Sequence, residues 1–459
     1  MDHERHYDLK MPRATRYRAW MLCALTALWS RGPHAEWKFS PYDGLTLTPK
    51  LNAGLAGVTT PGANLGNGRT NPKTGLAEGD PTWGEAHLMP VIAASAGAWY
   101  GEVSAVGAVT FGDGDPGSFT SGGDGELAIE TAFIGWRSGA ATDDANKPVI
   151  DLSLGRQALN IGDGFLIDDG NFDFGDNGGV WLVPRQAFQR TLLARVDYRA
   201  LHTDLFFLEA DPDNDEPSLV GANLEYQFRR TGHLGLLYFH ILNADTPKLF
   251  SPRQGMDVIS VRVNDFRVPF LPQLALWGEA TRERGAGRDA KFAASAWYAE
   301  TNYHFDTLPW TPSLSYRYAY FSGDADPGDL KRRDFDPLFY GFDKRGWGTW
   351  FQGEVIGGWL LFNNNQRNHL VHLAARPSES LTVGLIGGTF ELAESNYLGT
   401  PVKRRHFGDE LDIYADWTVN DHLMISAAYS VMFPGDAAIE AFGNDEKFHI
   451  VEVGIYFNF

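Results

Sequence analysis

Apolar and polar side chains alternate along this chain in segments of about ten residues, the length a tilted strand needs to cross a bilayer. The closing stretch HIVEVGIYFNF shows the pattern most plainly. Val451, Val453, Ile455, Phe457 and Phe459 share one parity, while Glu452, Gly454, Tyr456 and Asn458 share the other. Successive strand side chains point to opposite faces, so one face is wholly apolar and the other carries a carboxylate, a phenol and an amide. Lipid on one side and a wet lumen on the other call for this arrangement. A soluble edge strand can share it, but rarely ends on an exposed Phe.

The same alternation recurs in SLVGANLEYQF (218–228), MDVISVRVNDF (256–266), SAWYAETNYHF (295–305), ELDIYADWTV (410–419) and LMISAAYSVMF (423–433). Nineteen segments fit it, whereas single-chain bacterial barrels have even strand numbers. Loop lengths identify the extra one, because short periplasmic turns alternate with longer external loops. Long connections fall near 59–85, 113–125, 160–189, 210–217, 245–255 and 285–293. Counting TWFQGEVIGGWLL (349–361) as a strand inverts that order, and placing it in an external loop at 323–361 restores it. The expectation is an all-β, 18-stranded antiparallel transmembrane barrel of the outer-membrane porin type. The last strand should close on the first, about 44–58.

Bulk properties fit this reading. A mean hydropathy of -0.27 with no apolar run of 18 residues excludes a helical membrane protein. The 51 Gly and 13% aromatic content suit many strands, turns and interfacial girdles. Arg13, Arg16 and Arg18 precede the apolar stretch AWMLCALTALW (Ala19 to Trp29), so residues 1–35 read as a secretory signal peptide and 36–459 as a single barrel. The one cysteine, Cys23, lies inside that signal. The net charge of -19 disfavours nucleic-acid binding.

LGRQALNIGDG (154–164), WLVPRQAFQRTLLARVDY (181–198), FDPLFYGF (335–342), GDELDIYADWTV (408–419) and PGDA (434–437) together resemble the alginate export family of outer-membrane porins. The resemblance implies an 18-stranded monomeric porin. It also implies a constriction lined by basic residues that pass a polyuronate. Several of those positions differ here: the family's arginines fall on Met89 in HLMPV, on Glu130 in AIETAF and on Ala158, and only Arg156 matches. These departures argue against alginate as the solute.

With the apolar face of each strand toward lipid, the other face lines the pore. It presents Arg195, Arg199, Arg262, Arg317 and Arg376 as cations, and Asp151, Asp197, Glu225, Glu279, Glu300, Asp412, Asp416 and Glu452 as anions, with His240, His304 and His372. The arginines fall between the sixth and fourteenth strands, and Asp412, Asp416 and Glu452 gather at the closure seam. Two readings stand open: opposed charged walls that set a transverse field, or charges that pair within the wall. Arg156 has lipid-facing parity unless a bulge intervenes, which suits a rim position bonded to the next loop.

Two external loops stand out. Residues 323–361 hold Phe335, Tyr340, Trp347 and Trp350, too aromatic to hang in water. Folding into the mouth as a constriction is one reading, and packing on lipid A or another subunit the other. Residues 160–189 carry Asp163, Asp168, Asp169, Asp173 and Asp176 among glycines, but Val180 stands where a calcium loop needs Glu. That leaves room only for an incidental, lipopolysaccharide-bridging Ca2+, and no cofactor is expected.

The function these patterns support is passive passage of small polar or charged solutes. The expected partners are outer-membrane lipid, lipopolysaccharide and the barrel assembly machinery, which would read the C-terminal strand. Export of an anionic polysaccharide with periplasmic partners is the alternative. Catalysis is not expected, since Ser426, Ser430 and His372 lack any GxSxG context.

Overall fold

The computed structural model describes residues 38–42, 44–139, 147–171, 178–211, 216–228, 231–244, 252–288, 290–341 and 352–459. The signal-peptide reading of residues 1–35 lies outside them, as do Asp173, Asp176, Trp347 and Trp350.

Eighteen long strands form one antiparallel barrel. They run β1 (Leu45–Thr59), β2 (Thr82–Ala96), β3 (Trp99–Gly112), β4 (Gly125–Arg137), β5 (Val149–Gln157) and β6 (Phe188–Tyr198). Next come β7 (Leu201–Glu209), β8 (Ser218–Phe228), β9 (Gly232–Asn243), β10 (Met256–Val268), β11 (Leu271–Ala286) and β12 (Lys291–His304). The circuit ends with β13 (Ser313–Phe321), β14 (Gln366–Ser378), β15 (Leu381–Leu392), β16 (His406–Asn420), β17 (Leu423–Pro434) and β18 (Phe448–Asn458). Closure is the β1–β18 pairing, from Asn52 opposite Asn458 to Thr59 opposite Val451, with Leu51 and Phe459 exchanging backbone hydrogen bonds beyond it. A closed ladder leaves no edge strand, the condition for a sheet to sit in lipid.

The alternation sorts side chains as the parity requires. Val451, Val453, Ile455 and Phe459 face outward in an exposed apolar band, joined around the barrel by Leu127, Leu154, Leu192, Val261, Tyr316, Leu373 and Ile413. Glu452 is buried on the opposite face. The segment left out of the strand count is a single π-helical stretch, Glu354–Leu361, within the loop between β13 and β14.

That loop does not project outward. Two apolar cores fill the loop end of the lumen. One, along β6–β13, joins Phe165 and Ile167 of the β5–β6 loop to Phe335 and Phe339 of the β13–β14 loop and to the wall residues Phe188, Phe239 and Phe321. The other, beside the seam, sets Val355, Ile356, Leu360 and Leu361 of the π-helical stretch against Trp83, Phe390, Phe407 and Phe448. Burying these aromatic and aliphatic groups is what holds the loops inside, because each would otherwise expose a large apolar surface at the mouth.

Candidate functional site

The site is the constriction that these two loops build. Inside the barrel they hydrogen-bond to one another as a short parallel bridge. Asp168 N and Asp169 N donate to Phe339 O at 2.7 and 3.0 Å, Phe339 N donates to Leu166 O, and Gly341 N donates to Gly164 O at 2.7 Å. On the seam side they meet again, where Trp181 stacks on Trp359 with centroids 5.9 Å apart and Trp83 of β2 packs edge-on against both.

Buried glutamates on the wall anchor the loop backbones. Glu85 on β2 accepts from Trp181 N, Leu182 N and the Trp83 indole at 2.9–3.1 Å. Glu130 on β4 accepts Gln186 N and Ala187 N, both at 2.8 Å. Glu410 on β16 accepts Val355 N at 2.9 Å and Ile356 N at 2.7 Å, and Glu283 on β11 accepts Asp336 N at 3.2 Å. Charge-assisted bonds of this kind are stronger than neutral ones and orient the loop that donates them. The parity list omitted Glu85, Glu283 and Glu410, and nothing in a strand's pattern reveals that a carboxylate will receive a loop backbone.

Glu130, where the resemblance would place a cation, belongs to a buried charge cluster. Arg156 Nη1 reaches Asp211 at 2.7 Å, Arg185 Nη2 reaches the same carboxylate at 3.2 Å, and both guanidiniums approach Glu130. Arg156 gets there because the β5–β6 register shifts between Gly155 and Gln157, with Gly155 at φ 127°, a conformation that favours glycine. It lies at the loop end of β5, and its partners are Asp211 between β7 and β8 and Glu130 on β4 rather than residues of the loop that follows it. Asp211→Ala removes the carboxylate that Arg156 and Arg185 share but leaves them Glu126 and Glu130, so loop docking should weaken by about 1–3 kcal/mol. Hydrogen exchange at residues 158–171 reads this; unchanged protection would show that Glu85 and Glu130 hold the loop without Asp211.

The other arginines also pair within the wall. Arg317 Nε bonds Glu300 at 2.7 Å, Arg262 Nη2 bonds Glu225 and Asn223 at 2.5 Å, and Arg195 lies 3.4 Å from Asp204. Asp197 is exposed and bonds His202 at 2.6 Å. Arg199 departs from the expectation: it sits in the tight β6–β7 turn at φ 56°, over the Tyr198 ring, where its side chain is exposed at the rim. Beside Arg195, Glu225 and Asn264, a polar cavity of about 470 Å3 continues the lumen beneath the β5–β6 loop.

The seam wall differs. Glu354, Glu410, Asp412 and Glu452 are all at most 6% exposed, and no ion pair reaches Glu354, Glu410 or Asp412 among the described residues. Burial first, then the Glu452 and Glu410 carboxylates, hold the Glu354 carboxyl well above its usual range. Asp416 accepts from Ser426 at 2.6 Å, and His372 bonds Tyr414 at 2.9 Å, so the Ser426 hydroxyl and the His372 imidazole lie apart, each with its own partner. Phe335 and Tyr340 are buried in the constriction. Asp163 bonds Asn264 and Tyr298 at 2.7 and 3.0 Å, and Asp168 bonds Asn160.

A closed eighteen-stranded barrel with an outward apolar band and a lumen narrowed by its own loops is an outer-membrane channel protein. The alginate export family model matches residues 108–452, and the chain belongs to that family. No curated protein matches the sequence. Among solved structures, the chain is similar to Acinetobacter baumannii OccAB2 at 9% identity and TM-score 0.55, covering 90% of this chain and 98% of that one. Pseudomonas aeruginosa OccK2 (OpdF) gives 12% identity and TM-score 0.54, covering 90% and 97%. The outer membrane protein opdK of Pseudomonas aeruginosa gives 12% and 0.51, covering 90% and 98%. At these identities the likeness concerns the barrel fold.

Proposed function

We propose that the barrel passes small polar or positively charged solutes passively and has no catalytic step. The observation that carries this reading is the charge balance at the constriction. Arg195, Arg262 and Arg317 are each neutralised by a neighbouring carboxylate, while among the described residues no ion pair reaches Glu354, Glu410 or Asp412. A wall whose unpaired groups are carboxyls offers an anion no fixed positive charge and gains negative charge as it ionises, so it favours cations over anions. Among the described residues of that wall, a uronate chain would find no free cation where a polyuronate exporter needs attraction.

Family membership favours a second reading, export of an anionic polysaccharide handed on by periplasmic partners. Under either reading, lipid and lipopolysaccharide surround the barrel, and the strand ending at Phe459 would be read by the assembly machinery. A planar bilayer with a KCl gradient separates the two. Reversal potentials of cation-selective sign, with currents insensitive to uronate oligomers, are expected. Anion selectivity blocked by those oligomers would overturn the cation reading in favour of export.

A further inference from the structure

At the mouth, the β13–β14 loop and the β15–β16 hairpin (393–405) enclose a cavity of about 280 Å3 that adjoins the constriction. Its floor is apolar, with Met256, Phe292, Phe335 and Leu392 among the lining side chains. Its polar lining contains four carboxylates: Glu283, Asp324, Asp334 and Asp336.

Two of these are engaged by cations. Asp336 holds Arg253 through a two-point contact at 2.7 and 2.8 Å. Asp324 accepts Arg333 through backbone and guanidinium, both at 3.0 Å. The other two keep an oxygen with no donor: Glu283 Oε1, on a side chain 1% exposed, and Asp334 Oδ1. Arg332 lines the same cavity and makes no ion pair among the described residues. Two carboxyl groups face one guanidinium, so the lining carries one net negative charge when both are ionised, the form that an arriving cation favours. A buried carboxylate oxygen without a donor is costly unless a ligand supplies one.

We propose that this cavity binds a small organic monocation, a primary ammonium on a short aliphatic chain. The ammonium brings three donors for the open oxygens of Glu283 and Asp334, and the chain covers the apolar floor. One positive charge balances the excess; an anion would add to it, and a neutral alcohol would leave it. Burial already raises the Asp334 carboxyl, with Asp324 and Asp336 adding to that against Arg332, so an arriving ammonium relieves an existing tension. The site extends the cation-favouring channel reading but does not depend on conduction.

The test is calorimetry on the full barrel in detergent, titrated with n-butylammonium, n-butanol and norvaline. Butylammonium should bind and butanol should not. Asp334→Asn should weaken binding at least about tenfold, as expected when one partner of a buried charge contact is removed. Glu283→Gln should do the same, and Asp334→Asn guards against misfolding because it lies in a loop. No binding of butylammonium, or binding unchanged in Asp334→Asn, would overturn the assignment. Tighter binding of norvaline would replace the monocation with a zwitterion. Because the readout is heat, an anion-selective bilayer record would sink the channel reading while leaving this site standing.

Discussion

Replacing residues 323–361 by a short Gly-Ser linker is expected to raise single-channel conductance about tenfold, because eighteen strands otherwise enclose an aqueous channel. The segment brings Phe335, Leu338 and Phe339 into one core and Val355, Ile356, Leu360 and Leu361 into the other. Its removal clears material from both sides of the lumen. The barrel itself should persist, since the β13–β14 ladder and the β1–β18 closure use none of these residues and only Lys291 and Phe292 of β12 lose a pairing, to Lys331 and Arg332. Folding is checked by the heat-dependent shift in gel mobility typical of intact barrels. A folded variant with unchanged conductance would assign the bore to the β5–β6 loop alone.

Raising the pH should loosen the same loop. Glu354 faces Glu410 and Asp412 of β16, Glu452 and Tyr456 of β18, and through Asp412 the hydroxyl of Ser430 on β17. The docked loop holds the Glu354 carboxyl well above its usual range, whereas a released loop would return it to about 4.3. An acid whose docked value is raised favours docking most when protonated. Docking is therefore strongest below the released value and weakens as pH rises from there toward the docked one. The ratio of released to docked loops can grow by up to about tenfold per pH unit for one proton lost. Open probability recorded from pH 5 to pH 9 should climb in the natural protein and clearly less steeply in Glu354→Gln, where Glu410 and Asp412 still face the loop. An equal slope in both would locate the titration elsewhere.

Much of the fold was legible because its chemistry is repetitive. Lipid outside and water or packed polar groups inside impose a two-residue period, and the stretch from Val451 to Phe459 states it without exception. Loop-length alternation then removed 349–361 from the strand count, and the structure places Glu354–Leu361 inside the lumen as a π-helical stretch. Arg317 opposite Glu300 was within reach of the sequence too, since adjacent strands in register bring the pair together.

What the sequence concealed was the destination of the loops. The β5–β6 loop reads as a run of aspartates and glycines, and its buried Ile161, Phe165, Leu166 and Ile167 are scattered without a period. Glu85, Glu130 and Glu410 act on backbone N–H groups, which every residue but proline offers, so no side-chain code announces the partner. Arg156 needed the bulge at Gly155, a shift of one position that reverses facing.

The bridge between Ile167 and Phe339 changes what counts as a moving part. Because the two loops share hydrogen bonds inside the barrel and an indole stack at Trp181 and Trp359, neither can leave while the other stays without breaking both contacts. The electrical unit of this pore is thus the joined pair, and its current record is expected to consist of single full steps with no half-open level between them.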